Sequence, residues 1–406
     1  MYVKRDIETA LKEIILQFPA LALTGPRQTG KSTLLQNLFP DFTYCNLENM
    51  IDRQAALSDP YLFLERLGEP VIIDEIQYAP ELTSAIKVVI DNDRDKRGRF
   101  ILTGSQQYHL IRHLGDSLAG RIGIVELLPF CVHEQTRVPD RNGVSAGKSI
   151  LDRFKYACLQ GAYPELCVSD ITRKGFWYDS YIRTYLERDV RSLINIGNLR
   201  DFEKFLTMAS LRCGQLLNMS AMAHDLGLSV NTVKNWFSVL EASRLIYFLS
   251  PYHSNAGKRI VKSPKLYFTD CGLACYLAGI RDENYLLQGP MAGAMFENFW
   301  IQETLKVYFN ELKRPRLYFL RTAKGAEVDL LIEGVGMTLY PVEFKLSATP
   351  RTAMAENISH LRKSFAKLNM AEGILLTLTD RNEPLTKDVR LMSPERFTDW
   401  LKEIII

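Results

Sequence analysis

The 406-residue sequence has no apolar run approaching the length of a membrane span, which needs about 20 residues in a helix. No membrane is therefore expected as a partner. A secretory core is also missing near the start. Met1-Tyr2-Val3-Lys4-Arg5 leads into an amphipathic stretch that carries Glu8, Lys12 and Glu13, so no leader is expected. Charge of one sign is absent: 50 Lys and Arg against 47 Asp and Glu leave a formal +3. That balance does not establish a nucleic-acid partner, which depends on local patches more than on the sum. The seven cysteines are odd in number and scattered from Cys45 to Cys275. Their spacing argues against a disulfide framework and fits a reducing cytoplasm. Cys271 and Cys275 lie one helical turn apart, but no second pair of ligands stands near them in sequence, and buried thiols are expected there. The remainder, 24% charged and 47% hydrophobic, is the composition of an ordinary globular protein, long enough for two to four domains.

One stretch organises what is present. Leu21-Ala22-Leu23-Thr24 is a short apolar run that enters the turn Gly25-Pro26-Arg27-Gln28-Thr29-Gly30-Lys31-Ser32-Thr33, and a helical pattern of Leu34, Leu35 and Leu38 follows. This is G-x-x-x-x-G-K-S between a strand and a helix, the context that the phosphate-binding loop requires. Its glycines let backbone N–H groups curl round a phosphate without a Cβ clash, and the helix points its positive end at the same phosphate. Lys31 reaches the β- and γ-phosphates, and Ser32 offers its hydroxyl to Mg²⁺. Residues 25–33 are the expected nucleotide-binding residues.

The next signals follow from that loop. Val71-Ile72-Ile73-Asp74-Glu75 is an apolar strand ending in two acids. Asp74 is expected to hold Mg²⁺ and Glu75 to polarise the attacking water. Phe100-Ile101-Leu102-Thr103 is a buried strand that ends near Ser105 and Gln106: either Ser105 or Gln106 is placed to sense the γ-phosphate and orient water, because open α/β sheets bind ligands at strand carboxyl ends, or the pair is a polar strand end with no role. Arg121 closes Ser117-Leu118-Ala119-Gly120-Arg121 and precedes the strand 122–127. Two readings stand open for it: a finger supplied to a neighbouring copy, since a guanidinium compensates charge on a transferred phosphoryl group, or a surface salt bridge.

Taken together, residues 25–32, 71–77, 103–106 and 117–121 resemble the AAA+-like ATPases of bacteria and archaea that carry a C-terminal domain of uncharacterised function. Gly161-Ala162-Tyr163-Pro164-Glu165, Tyr185-Leu186-Glu187-Arg188-Asp189-Val190 and Gly325-Ala326-Glu327-Val328-Asp329 look like the same family, so the likeness spans nearly the whole chain. The resemblance implies an AAA+-like fold, ATP and Mg²⁺ as cofactors, and Arg121 as a finger candidate in a homo-oligomer. The fold class expected is therefore α/β. A P-loop parallel-sheet domain (1–140) is followed by a helical segment (141–200), a winged-helix domain (201–284) and an α/β domain like restriction endonucleases (285–406).

The later boundaries rest on residues. Pro139, Gly143, Ser145 and Gly147 mark a linker. Residues 1–20 and 176–194 read as helices. Glu187-Arg188-Asp189 with Arg191 is either a contact to nucleotide or neighbour, or a solvated face. Residues 221–226, Gly227-Leu228-Ser229 and 230–240 have the layout of helix-turn-helix, with Ser229 as N-cap and Asn231, Thr232, Lys234 and Asn235 suited to phosphates and base edges. Strands 245–249 and 265–268 then frame a basic tip at 255–262, which makes DNA a candidate partner. In the last domain Glu297 lies on a helix, Asp329 on a strand, and Glu343 and Lys345 share one face of the next strand. Three carboxylates make a hard oxygen site for a second Mg²⁺ or Mn²⁺, beside which Lys345 positions or activates water. The set resembles the PD-(D/E)XK nuclease core. Two function classes follow: an ATPase driving a DNA-binding and nuclease-like module, or an ATP-dependent switch whose C-terminal domains only bind a partner.

Overall fold

Strand β1 (Ala20–Thr24) is buried along its whole length, as are β3 (Val71–Asp74) and β4 (Phe100–Thr103). Strands apolar on both faces belong in the middle of a parallel sheet covered by helices on each side. The computed structural model, which describes residues 1–104, 118–139, 149–185, 199–252, 263–322 and 325–405, has that arrangement. Together with β2 (Thr43–Asn46) and β5 (Ile122–Glu126), these strands form a five-stranded sheet of order β2-β3-β4-β1-β5. Every pairing in it is parallel. The register sets Leu23 beside Thr103, Thr24 beside Glu126 and Asn46 beside Asp74, so all five carboxyl ends meet along one edge. Apolar clusters fill both faces, one holding Phe63, Ile86 and Phe100, the other Leu11, Leu34 and Ile101. The nucleotide-binding loop joins β1 to α2 (Lys31–Leu38) at that edge.

The first helix is shorter than the sequence suggests. The 1–20 pattern yields only α1 (Glu8–Ile14). Pro19 disfavours helix at the residue before it, and β1 must begin at Ala20. Ile7, Leu11 and Ile15 carry the buried stripe, and Leu16 is 72% exposed. Ahead of the helix, Val3 and Arg5 are buried.

Downstream, three helices α10 (Leu199–Leu211), α11 (Met219–Leu226) and α12 (Val230–Ala242) precede an antiparallel pair, β6 (Ile246–Pro251) and β7 (Lys265–Phe268). Gly227 ends α11 in the left-handed region (φ 66°), and the Ser229 hydroxyl accepts the Thr232 N–H at 3.0 Å to start α12. Beyond the wing that the sequence suggests, Ser250 and Pro251 of β6 pair in parallel with Tyr318 and Phe319 of β8 (Leu317–Arg321). The pair thereby joins an eight-stranded mixed sheet that includes β9 (Glu327–Glu333) and β10 (Leu339–Phe344) and runs across residue 284. Pairing here removes two open strand edges at once. One apolar core follows it, from Leu128 through Phe205 and Trp300 to Leu401. The long helix α15 (Ala292–Asn310), numbered after α13 (Cys271–Leu277) and α14 (Glu283–Gln288), ties this body to the first. Its Lys306 ammonium donates to Phe130 O at 2.7 Å, and its Glu303 carboxylate accepts the Val132 N–H at 2.8 Å.

Ser105, Gln106 and Ser117, the string 186–191 and the basic tip 255–262 lie outside the described residues.

Candidate functional site

The loop geometry explains its glycines. Gly25 has φ +136°, and a Cβ there would stand 2.2 Å from Leu127 O, so no larger residue fits. Gly30 has φ +85° as the residue that starts α2. Between them Gln28 takes a left-handed φ of 60°, and the Thr29 hydroxyl donates to Pro26 O at 2.9 Å. Lys31 is buried, with its ammonium donating to Gly25 O at 3.0 Å and Pro26 O at 2.8 Å. The loop is thus a cradle closed round its own lysine.

Asp74 completes the arrangement from the next strand but one. Its Oδ2 accepts the Ser32 hydroxyl at 2.5 Å and the Tyr44 hydroxyl at 2.7 Å. Burial, and then this carboxylate, push the Tyr44 phenol above its ordinary range. Glu75 sits just past the strand with φ 56°, a left-handed conformation that a glutamate adopts only when its surroundings hold it. Its carboxylate accepts from the Gln77 amide. Thr103 Oγ1 and Gln77 Oε1 are buried without a partner among the described residues. The residues at the cradle fit a magnesium nucleotide: a loop that a single Cβ would fill, a buried lysine, and a hydroxyl–carboxylate pair of the type that holds Mg²⁺.

Two neighbours of the loop escape sequence reasoning. Arg5 is buried, and its guanidinium donates to Glu134 Oε1 (2.9 Å), Thr29 O (2.9 Å) and Leu128 O (2.7 Å) while lying 4.8 Å from the Phe130 ring centre. Pro164, from the Gly161–Glu165 motif, faces the other side: its Cγ is 3.7 Å from where a Gly30 Cβ would be. Arg121 is elsewhere. It precedes the first residue of β5, at the edge of the sheet opposite the loop, and forms a two-pronged ion pair with Asp91 at 2.7 and 2.9 Å. It is not placed on the phosphates of its own chain.

A second cluster lies in the C-terminal body. Leu330 pairs with Val342, so Asp329 and Glu343 come opposite each other one step further along β9 and β10. Asp329 Oδ2 accepts the Phe344 N–H at 3.0 Å, and the Lys345 ammonium stands 2.6 Å from Glu343 Oε1 and 3.8 Å from Asp329 Oδ2. Glu343 Oε2 is buried and has no hydrogen-bond partner among the described residues. Glu297 turns elsewhere. Its Oε1 accepts from Lys265 at 2.8 Å and from the Tyr267 hydroxyl, and Lys265 also contacts Glu327. The three expected ligands therefore do not gather in one tight set. Among the described residues, the one trio of acid, thiol or imidazole groups with ligand atoms within 4.8 Å of one another is Asp6, Cys131 and Glu134. There both Glu134 oxygens already accept, from Arg5 and from the Asp6 and Cys131 N–H groups. Lys265 and Tyr267 were legible only as strand residues, because their partner is about thirty positions away. All seven cysteines are free and buried.

The second cluster has a pH signature. Burial, and then repulsion by Asp329, raise Glu343 to about 8 and Glu297 to about 7. Burial also raises Asp329. The folded chain thus holds protons that the unfolded chain releases near 4.5. Stability from this cluster is full below that value and is lost as pH climbs through about 8. In chelator, the parent is expected to melt at progressively lower temperature between about pH 6 and about pH 9, with Glu343→Gln flattening the trend. Equal slopes for the two proteins in thermal melts would contradict it.

Comparison with known proteins adds a domain and a family. An AAA domain model matches residues 17–136, a domain of unknown function (DUF8612) matches 151–284, and a second (DUF4143) matches 292–396. Uncharacterised proteins of Mycobacterium tuberculosis and Mycobacterium bovis are each 30% identical over 389 residues, covering 95% of this chain and 82% of theirs. Among solved structures, a Walker-type ATPase of Pyrococcus abyssi is similar at 17% identity with a TM-score of 0.46, covering 68% of this chain and 96% of that one.

Proposed function

The chain belongs to the family of the two uncharacterised mycobacterial proteins and carries an AAA domain over residues 17–136; on that footing we propose that it hydrolyses ATP with Mg²⁺ to control a DNA-binding and nuclease-like module. The observation that carries the first half is the Ser32–Asp74 contact of 2.5 Å across the cradle. When bound, Mg²⁺ neutralises charge on the terminal phosphates. The loop N–H groups and Lys31 hold those phosphates. Ser32 and Asp74 would hold the cation, and Glu75, fixed by its backbone and by Gln77, would orient water and take its proton. A reducing cytoplasm suits the seven free thiols.

For the second half, Asn231, Lys234 and Asn235 are exposed along one side of α12, as a helix that meets phosphates and base edges requires. We read α10 to β7 as a winged helix and the C-terminal body as nuclease-like. The orphaned Glu343 Oε2 beside Asp329 and Lys345 supports the latter reading. A buried carboxylate oxygen without a donor is what a divalent cation would satisfy. Asp329 and Glu343 would hold the ion, while Lys345 orients the attacking water. Incubating single- and double-stranded DNA with Mn²⁺ tests this: the parent cuts, Asp329→Asn does not, and Lys234→Glu weakens duplex binding. If parent and Asp329→Asn are equally inert on every substrate, the C-terminal body only binds, and the chain is an ATP-driven switch.

A further inference from the structure

We propose that the cleft between strand β5 and the turn at 312–316 is a binding surface for single-stranded nucleic acid. It has a volume of about 510 Å³ and is walled by Ile124 and Glu126 from one side and by Arg244, Tyr247, Phe309 and Lys313 from the other. A second cleft of about 340 Å³ shares Lys313 and Arg314 with it and adds Arg316 and Tyr308. The two adjoin at those shared residues.

Its charge is uneven in a way that points outward. Arg244 is held by both oxygens of Glu126 at 2.6 and 2.7 Å, and Arg316 pairs with Glu333 at 3.1 Å. Each of these arginines is cancelled by its own carboxylate. Lys313 and Arg314 are exposed where the two clefts join, and neither side chain has an ion pair or hydrogen bond among the described residues. Leu312 takes a left-handed φ of 53° and Pro315 fixes the far side, so the turn presents both cations stiffly to solvent. Two uncompensated cations beside a groove call for an anion.

The rings narrow its class. Tyr247 and Phe309 are only half-buried, and the Arg244 guanidinium lies 5.8 Å from the Phe309 ring centre. Cations that track a backbone beside aromatic faces are the chemistry of single-strand binding, where each unpaired base offers a face to stack. A duplex keeps its base faces inside. An acidic peptide would satisfy Lys313 and Arg314 but leave the rings unused. None of the residues lining the two clefts lies on the exposed side of α12 or in the Asp329 cluster.

Fluorescence anisotropy of a labelled oligothymidylate, titrated with the full chain in chelator so that nothing is cut, tests the assignment. The parent binds, and its affinity falls with salt. The double variant Lys313→Glu/Arg314→Glu binds roughly tenfold or more weakly, with a salt slope shallower by about 1.4, since each lost single-strand phosphate contact removes about 0.7. Phe309→Leu weakens binding through lost stacking. Lys234→Glu leaves single-strand binding intact. The double variant's ATP turnover matches that of the parent, which controls for folding. Parent-like affinity in the double variant, no oligothymidylate binding by the parent, loss of binding in Lys234→Glu instead, or displacement by polyglutamate as readily as by unlabelled oligothymidylate would each overturn it.

Discussion

Lys31→Ala is expected to lower ATP turnover by about 100-fold or more, the usual effect of deleting a preorganised donor to developing negative charge. The size follows from the placement of the side chain. Lys31 is buried, opens α2, and directs its ammonium to the two loop carbonyls of Gly25 and Pro26. A nucleotide presenting its β- and γ-phosphates takes over those donors with little rearrangement. Alanine removes the charge and leaves the helix intact, because it is the best helix former. Phosphate release by the parent and the variant checks it, with circular dichroism to show that both are folded. Equal rates would mean that the cradle serves something other than catalysis.

Arg5→Ala is expected to destabilise the chain by about 3–5 kcal/mol, the range for breaking a buried pair by removing one partner. The arginine and Glu134 are 4% and 1% exposed, so the carboxylate left behind has no water to turn to. Thr29 O and Leu128 O lose their donors in the same step. Arg5→Lys is expected to recover only part of the loss, because an ammonium cannot fork across three acceptors. Denaturation midpoints of the three proteins measure this. A shift for Arg5→Ala under about 1 kcal/mol, as for an exposed pair, would show that the network is incidental.

These two residues also mark what was legible in the sequence. The nucleotide-binding loop, Asp74 and Glu75 are local: a few consecutive residues dictate strand, turn and helix, and the parallel sheet follows. The approach of Asp329, Glu343 and Lys345 was legible too, since the two-residue spacing of Glu343 and Lys345, at and just past the end of β10, puts them on one side. Arg5 was not legible, because its partners lie 24, 123 and 129 positions away. Lys265 and Tyr267 were hidden for the same reason, and their hold on Glu297 draws that acid out of the expected ligand set. Nothing in the residues of β6 marks that it pairs with β8 beyond residue 284. Strand edges pair by proximity in three dimensions, and their residues carry no mark of which edge is near. Arg121 is the intermediate case. Of its two open readings, the salt bridge is the one realised within the chain, through Asp91, and a role on a neighbour's phosphate would require that pair to part.

Glu75→Gln gives the most direct test of the central claim that this is an ATP-hydrolysing enzyme. The substitution keeps the shape and removes only the proton acceptor, so binding and chemistry separate. A fluorescent ATP analogue with Mg²⁺ should bind the parent and Glu75→Gln alike, while steady-state phosphate release falls by about 100-fold or more in the variant. Unchanged phosphate release in Glu75→Gln, or a parent that binds no nucleotide, would contradict the account.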